Sequence, residues 1–158
     1  MKKQLTLMLL FTSFLIAEEL KVTSKSFQAD EKTGISIFEG DVSIVKGSDE
    51  LNASKITIFT NKKRKPMKYM AVGDVSFHIT TKDKSVYEGK AQKVIYFPIK
   101  KEYHFYKNVH LNQSNNQKVI IGDEVVLKIL DGQAYAKGQK NKPVIMIFDI
   151  DEKEKKER

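Results

Sequence analysis

Three stretches decide how this chain is read: Phe38-Glu39-Gly40-Asp41-Val42-Ser43-Ile44, Ala71-Val72-Gly73-Asp74-Val75-Ser76-Phe77 and Phe105-Tyr106-Lys107-Asn108-Val109-His110-Leu111. Each is followed by a polar turn and a second apolar-rich run: Ala53 to Ile58, Ala91 to Tyr96 and Gly122 to Leu127. From Gly40 to Gly73 to Lys107 the period is 33 to 34 residues. Val, Ile, Thr, Tyr and Phe dominate the apolar positions and alternate with polar residues, which is the period-two pattern of strands. A fixed spacing of this kind marks a repeated structural unit, here a strand, a turn and a return strand.

Outward from the repeat, turn signals punctuate the chain at Lys32-Thr33-Gly34, Lys46-Gly47-Ser48, Asn61 to Pro66, Lys82-Asp83-Lys84, Gln113 to Asn116 and Asp131-Gly132. No amphipathic helix is legible after Ala17. Short, evenly spaced strands predict an all-β sandwich or barrel rather than a parallel α/β sheet. Side chains two apart share a face. Phe38, Val42 and Ile44 therefore fall together, as do Ala71, Val75, Phe77 and Ile79, and Phe105, Val109 and Leu111. The return strands add Ile56 and Ile58, Val94 and Tyr96, Val125 and Leu127. The opposite face carries Ser43, Lys55, Ser76, His78, Lys93 and His110, but also Ile95 and Val126. A continuous apolar face of this kind serves an ordinary packed core or an open apolar channel equally well, and parity alone leaves both readings open.

The N-terminus has the order of a secretory signal peptide: Lys2 and Lys3, an uncharged run from Leu5 to Ile16, the small Ala17, then Glu18 and Glu19. The run is shorter than the roughly 20 residues of a membrane-spanning helix. The expected organisation is a signal peptide at 1–17, one domain at 18–148 and a charged, disordered tail at 149–158. The whole chain has 158 residues and a net charge of +8, and loss of Lys2 and Lys3 leaves +6. A basic exported protein suits an anionic partner such as a phosphorylated glycolipid or a membrane surface; export argues against nucleic acid. There is no cysteine, so the fold is held without disulfides.

Nothing in the chain predicts an enzyme. His78, His104 and His110 lack metal-ligand spacing with acidic residues, and no glycine-rich phosphate loop is present. The expectation is no catalytic residue, no metal and no cofactor. Tyr103, Tyr106 and Tyr135 are the aromatics available to a carbohydrate-binding surface, though they form no platform. Lys62-Lys63-Arg64-Lys65 reads either as a solvated loop or as a contact for lipid phosphates or an anionic membrane surface.

The order and spacing of Phe38-Glu39-Gly40-Asp41-Val42, Asn52-Ala53-Ser54-Lys55-Ile56, Tyr87-Glu88-Gly89-Lys90-Ala91, Lys107-Asn108-Val109-His110-Leu111 and Ile121-Gly122-Asp123-Glu124-Val125 resemble the OstA-like family of lipopolysaccharide-transport proteins, over about Leu20 to Phe148. The resemblance implies an antiparallel β-jellyroll, open along one side like a trough, that shields acyl chains and bridges inner and outer membranes of a Gram-negative envelope. It implies a periplasmic location and carries lipid-contact roles to Leu20, Val22, Phe77 and Tyr96. With the residues on the apolar face, the candidate lipopolysaccharide-binding set is Leu20, Val22, Phe38, Ile44, Val75, Phe77, Val94, Tyr96, Val109 and Leu111. Pro98 falls on a further family position, but proline ends a strand or sits at an edge. Domains of the family join by strand addition, so Leu20, Val22, Val144, Met146 and Phe148 are candidate partner-strand residues. The implied partners are lipopolysaccharide, an LptC-like inner-membrane protein at the N-terminal edge, an LptD-like outer-membrane protein at the C-terminal edge, and further copies head to tail. The alternative is a structural envelope protein that polymerises through its edges and binds no lipid.

Overall fold

The structure is a computed structural model. It describes residues 19–149 other than Asp83, with the backbone but not the side chain of Asn116; the signal-peptide segment, Glu18 and all of the charged tail beyond Asp149 lie outside the described residues. Ten strands follow one another: β1 (Leu20–Thr23), β2 (Ser26–Asp30), β3 (Ile35–Lys46), β4 (Asp49–Thr60), β5 (Pro66–Thr80), β6 (Val86–Phe97), β7 (Glu102–Gln113), β8 (Lys118–Lys128), β9 (Gln133–Lys137) and β10 (Ile145–Ile147). A single 3₁₀ turn, Ser114–Asn116, interrupts them among the described residues. All pairings are antiparallel. Sequential hairpins make the order β1-β3-β4-β5-β6-β7-β8-β10, with β2 also on β3 and β9 also on β8, and the path does not close.

The repeat found in the sequence is the device that folds this long sheet. Gly40-Asp41, Gly73-Asp74 and Lys107-Asn108 all adopt positive φ, at 83° and 46°, 86° and 44°, and 62° and 51°. At each pair the register slips, so that two residues of β3, β5 or β7 oppose one residue of a neighbour. Such bulges bend and twist a strand. Stacked side by side at the same height, they crease every hairpin along one line. Glycine suits the first position of two of these pairs because it alone enters the left-handed region at little cost. A Cβ on Gly73 would also lie 2.6 Å from the Ser54 hydroxyl.

The crease divides the sheet into two layers. One holds β2, residues 35–39 of β3, the facing parts of β4 to β7, residues 124–128 of β8, and β9; the other holds β1, residues 43–46 of β3, the remaining parts of β4 to β7, residues 119–121 of β8, and β10. Phe77 and Phe105 belong to opposite layers of non-adjacent strands, yet their ring centroids are 4.8 Å apart. The layers therefore face each other across the apolar side. This is the open, antiparallel β-jellyroll expected from the sequence.

The crease also sets which side chains point inward. In β3, β5 and β7 the two-residue bulge preserves parity, so Val42, Ala71, Val75, Phe77, Phe105, Val109 and Leu111 are buried as the alternation implies. In β4, β6 and β8 the inward set steps by three: from Ala53 to Ile56, from Ala91 to Val94, and beyond Ile120 to Val125. Strict alternation cannot show that step. It places Ile95 and Val126 on the outer face, where both are half-buried, while leaving out Leu51, Ala53, Tyr87, Ala91 and Ile120, which join the core or pack on it. Val75, Phe105, Val109 and Val125 have no exposed surface, and full burial of such side chains is worth about 1.5–3 kcal/mol each.

Two further differences concern the C-terminal end. Gln133–Lys137 forms a strand that the turn-and-run reading passes over, because its apolar residues are too few to announce it. Ile145–Ile147, flanked by residues apolar on both parities, reads as a strand covered on both faces; instead Ile145, Met146, Ile147 and Phe148 are all about half exposed. The expected break at Pro98 holds, since β6 ends at Phe97.

Candidate functional site

Away from the crease the two layers diverge, and a cavity of about 390 Å³ opens between them, within the range of small-molecule sites. Ile44 and Leu51 come from β3 and β4 of one layer, Tyr69, Val94, Tyr96 and Tyr103 from β5, β6 and β7 of the other, and Leu20 of β1 closes the N-terminal side. The polar groups Lys46, Asp49 and Glu50 sit at its margin. Asp49 is held by the Thr80 amide, which donates to Oδ1 at 2.7 Å.

Tyrosines dominate the approach. Tyr69 and Tyr96 have centroids 6.0 Å apart, Tyr96 and Tyr103 stack at 4.3 Å, and Tyr103 continues to Phe105 at 6.2 Å. This aromatic row runs from the mouth to the fully buried Phe105–Phe77 pair. Burial pushes the Tyr103 hydroxyl far above the usual phenol range, with Tyr96 and Asp49 adding to the effect. Burial also raises the hydroxyls of Tyr69 and Tyr96. At neutral pH the row is therefore uncharged, an amphipathic lining with apolar ring faces and hydroxyl tips.

A second cavity of about 310 Å³ continues along the same open side toward the C-terminal edge, lined more polarly by Thr81, Ser85, Gln113, Lys118 and Gln133 beside Tyr87 and Leu127. The two cavities meet at cross-strand pairs, since Ile79 of the first opposes Tyr87 of the second and Tyr103 of the first opposes Leu127 of the second. They form one groove with two chambers.

The structure sorts the sequence-predicted site residues by depth. Leu20, Ile44, Val94 and Tyr96 line the larger chamber, and Leu111 lines the smaller. Val22 and Phe38 pack half-buried on the core. Val75, Phe77 and Val109 lie inside that core, with exposures of 0, 4 and 0 %. Leu51, Tyr69 and Tyr103 line the groove without having been singled out from sequence as site residues. Leu51 precedes the parity step in β4. Tyr103, taken from sequence as available to the surface, shares the inward parity of Phe105; that alternation was the signal for it. Among the described residues no group of three or more His, Asp or Glu converges to hold a metal, and no helix is long and apolar enough to cross a membrane.

With this geometry the comparisons with known proteins agree. The family model described as LptA/(LptD N-terminal domain) LPS transport protein matches residues 21–133. The chain belongs to that family. It is LptA-like, and its β-jellyroll is the fold of a solved relative: the crystal structure of LptH, the LptA-homologous periplasmic component of the lipopolysaccharide transport device of Pseudomonas aeruginosa. That structure superposes with a TM-score of 0.71 at 18 % identity, over 84 % of this chain and 96 % of the other. No curated protein sequence matches the chain.

Proposed function

We propose that this protein is a periplasmic lipopolysaccharide carrier that holds acyl chains in the groove and joins neighbouring domains through its strand edges. The observation that carries the reading is an apolar chamber, open to solvent, in a chain of a lipopolysaccharide-transport family. Each methylene removed from water is worth about 0.8 kcal/mol, so an acyl chain crossing an aqueous compartment needs a lining such as Leu20, Ile44, Leu51 and Tyr96. Charged head groups remain outside, near Lys46. No bond is made or broken; the work is shielding and hand-over between similar apolar sites. Phe77, Val75 and Val109 reach cargo only where the layers part, and otherwise hold them together.

The edges support the second half of the reading. β1 and β2 end the two layers on one side, and β10 and β9 end them on the other. Unpaired edges are templates for another strand. Leu20 and Phe27 at one end, and Tyr135, Met146 and Phe148 at the other, leave apolar surface for a neighbour to cover. An LptC-like partner at the N-terminal edge, an LptD-like partner at the C-terminal edge and further copies between them are the assembly proposed.

A photoreactive side chain tests the groove. Placed at Ile44 or Tyr96 it should label bound lipopolysaccharide, and placed at Lys55, on the outer face beside Glu39, it should not. Equal labelling at all three positions would remove the groove from the mechanism. Absence of lipid adducts, with copies still crosslinking through Leu20 and Phe148, would favour an envelope polymer that binds no lipid.

A further inference from the structure

The two rims of the folded sheet differ in a way that neither cargo shielding nor strand addition uses. On one rim four turns lie in a row. They are residues 31–34, 61–65, 98–101 and 129–132; short contacts tie the first to the second and the third to the fourth, and the pairing of β5 with β6 sets the middle two side by side. The Thr60 amide donates to the Gly34 carbonyl at 2.8 Å, Arg64 pairs with Glu31 at 3.1 Å, Tyr69 opposes Tyr96 across β5 and β6, and the Ile129 amide donates to the Lys101 carbonyl at 3.1 Å. With strands about 4.8 Å apart, the row is about 30 Å long.

These four turns carry seven cations, Lys32, Lys62, Lys63, Arg64, Lys65, Lys100 and Lys101, against two acids, Glu31 and Asp131. Apolar side chains stand exposed among them: Ile99 is 67 % and Leu130 65 % exposed, with Met67 beside the basic turn at 39 %. The opposite rim turns at 47–48, 81–85 and 114–117. Among the described residues those turns hold only Lys82 and Lys84 as cations, and no large apolar side chain.

We propose that the basic rim docks this protein on an anionic phospholipid bilayer. Charge alone would suit any anion, but two features select a bilayer. The row is far longer than one phosphate, so it meets many head groups at once. Ile99 and Leu130 project from turn tips and no described residue covers them, as suits side chains that enter a head-group layer. Each basic residue near such a surface contributes about 1 kcal/mol. Pro98 and Ile129, next to those tips, line the two chambers. Docking therefore sets the groove's open side against the lipid surface. Since the row runs across the strands, in the direction in which copies would add, a docked copy lies along the membrane, and is a copy outside an assembly that leads from one membrane to the other. The docking itself needs no cargo and stands apart from the lipopolysaccharide reading.

Vesicle co-sedimentation of the full chain tests this, with vesicles of equal parts phosphatidylglycerol and phosphatidylcholine compared with phosphatidylcholine alone. The rim variants below keep Lys2, Lys3 and Leu5 to Ile16 intact, so comparison with the parent separates the rim's contribution from theirs. The chain should bind the anionic vesicles preferentially, and the preference should fall in 1 M salt, where screening acts within about 3 Å. Lys62→Glu, Lys63→Glu and Lys65→Glu together should weaken anionic binding on the order of 100-fold. The control on the other rim, Lys82→Glu with Lys84→Glu, should lose much less per charge reversed, because those turns carry only these two cations and present no large apolar side chain to the bilayer. Ile99→Ser with Leu130→Ser should cost about tenfold while leaving every charge in place. Equal losses per charge reversed at the two rims would reduce the effect to net charge and overturn the proposal. So would equal binding to neutral and anionic vesicles, or full binding by the serine pair. A circular dichroism spectrum unchanged from the parent confirms that each variant is folded.

Discussion

At the crease and at the mouth of the folded sheet the same apolar alternation does two different jobs. At the crease the layers meet, and Phe105, Val75, Val109 and Val125 are sealed from water. At the mouth the layers diverge, and Ile44, Leu51 and Tyr96 keep surface to offer. The difference is one of distance from a line of bulges, not of residue type. On the proposed reading the molecule must be closed enough at one side to be stable and open enough at the other to take cargo, and the bend in each hairpin supplies both.

Substitutions should separate the two regions, with the largest effect at the crease. Phe105→Ala removes a ring with no exposed surface, tilted against Phe77 and stacked on Tyr103, and should cost about 3–5 kcal/mol. Tyr96→Ala, half-buried at the mouth, should cost less than half as much while weakening lipid capture. Chemical denaturation of the two variants, followed by circular dichroism, checks the ranking; equal costs would mean that the mouth is packed like the core. For the same reason Phe77→Asp is the wrong probe of cargo, since it would unfold the domain before it reported on binding.

Next comes Gly89, which opposes both Phe77 and Leu111. A Cβ there would collide with the His110 carbonyl and lie 3.1 Å from the Phe77 ring. Gly89→Ala should therefore destabilise the fold by about 1–3 kcal/mol through overpacking, seen as a lower denaturation midpoint.

Alkali tests the mouth specifically. Burial raises Tyr69, Tyr96 and Tyr103 above the usual value, so the folded state keeps protons that the unfolded chain loses near about pH 10. Their contribution to stability is complete below that pH and declines as pH rises above it. Tyrosinate absorbance should show these three ionising late. Tyr103→Phe should flatten the alkaline decline in stability; an unchanged pH profile would show that the row is solvated.

The smallest effect lies at the third bulge. Lys107 holds a φ of 62° where the other repeats have glycine. Lys107→Gly should relieve about 1 kcal/mol of left-handed strain and lose part of that to the extra freedom of the unfolded chain, for a net gain of about 0.5 kcal/mol. Gly73→Ala should cost more than that gain, because a Cβ there adds a close contact with Ser54 to the left-handed strain.

Much of the fold was legible because hydrophobic alternation and the 33-to-34-residue spacing are local signals. They located the hairpins and most of the apolar face. They did not reveal that Gly-Asp and Lys-Asn pairs are bulges, so Leu51, Ala53, Tyr87, Ala91 and Ile120 were left out of that face. The edge strand Gln133–Lys137 leaves little trace in the sequence because an exposed edge needs few apolar residues to hold it. The candidate site was legible only in part. Leu20, Ile44 and Tyr96 line the groove, but nothing in the spacing of Val75, Phe77 and Val109 tells a sealed position from a lining one.

By itself the amino-acid sequence determined an all-β chain of repeated hairpins with one apolar face, because side-chain alternation follows from strand geometry alone. Only the tertiary structure decided which part of that face is core and which is groove. That depends on how far apart two layers stand, and the distance is set by bends acting together across six neighbouring strands rather than by any residue on its own.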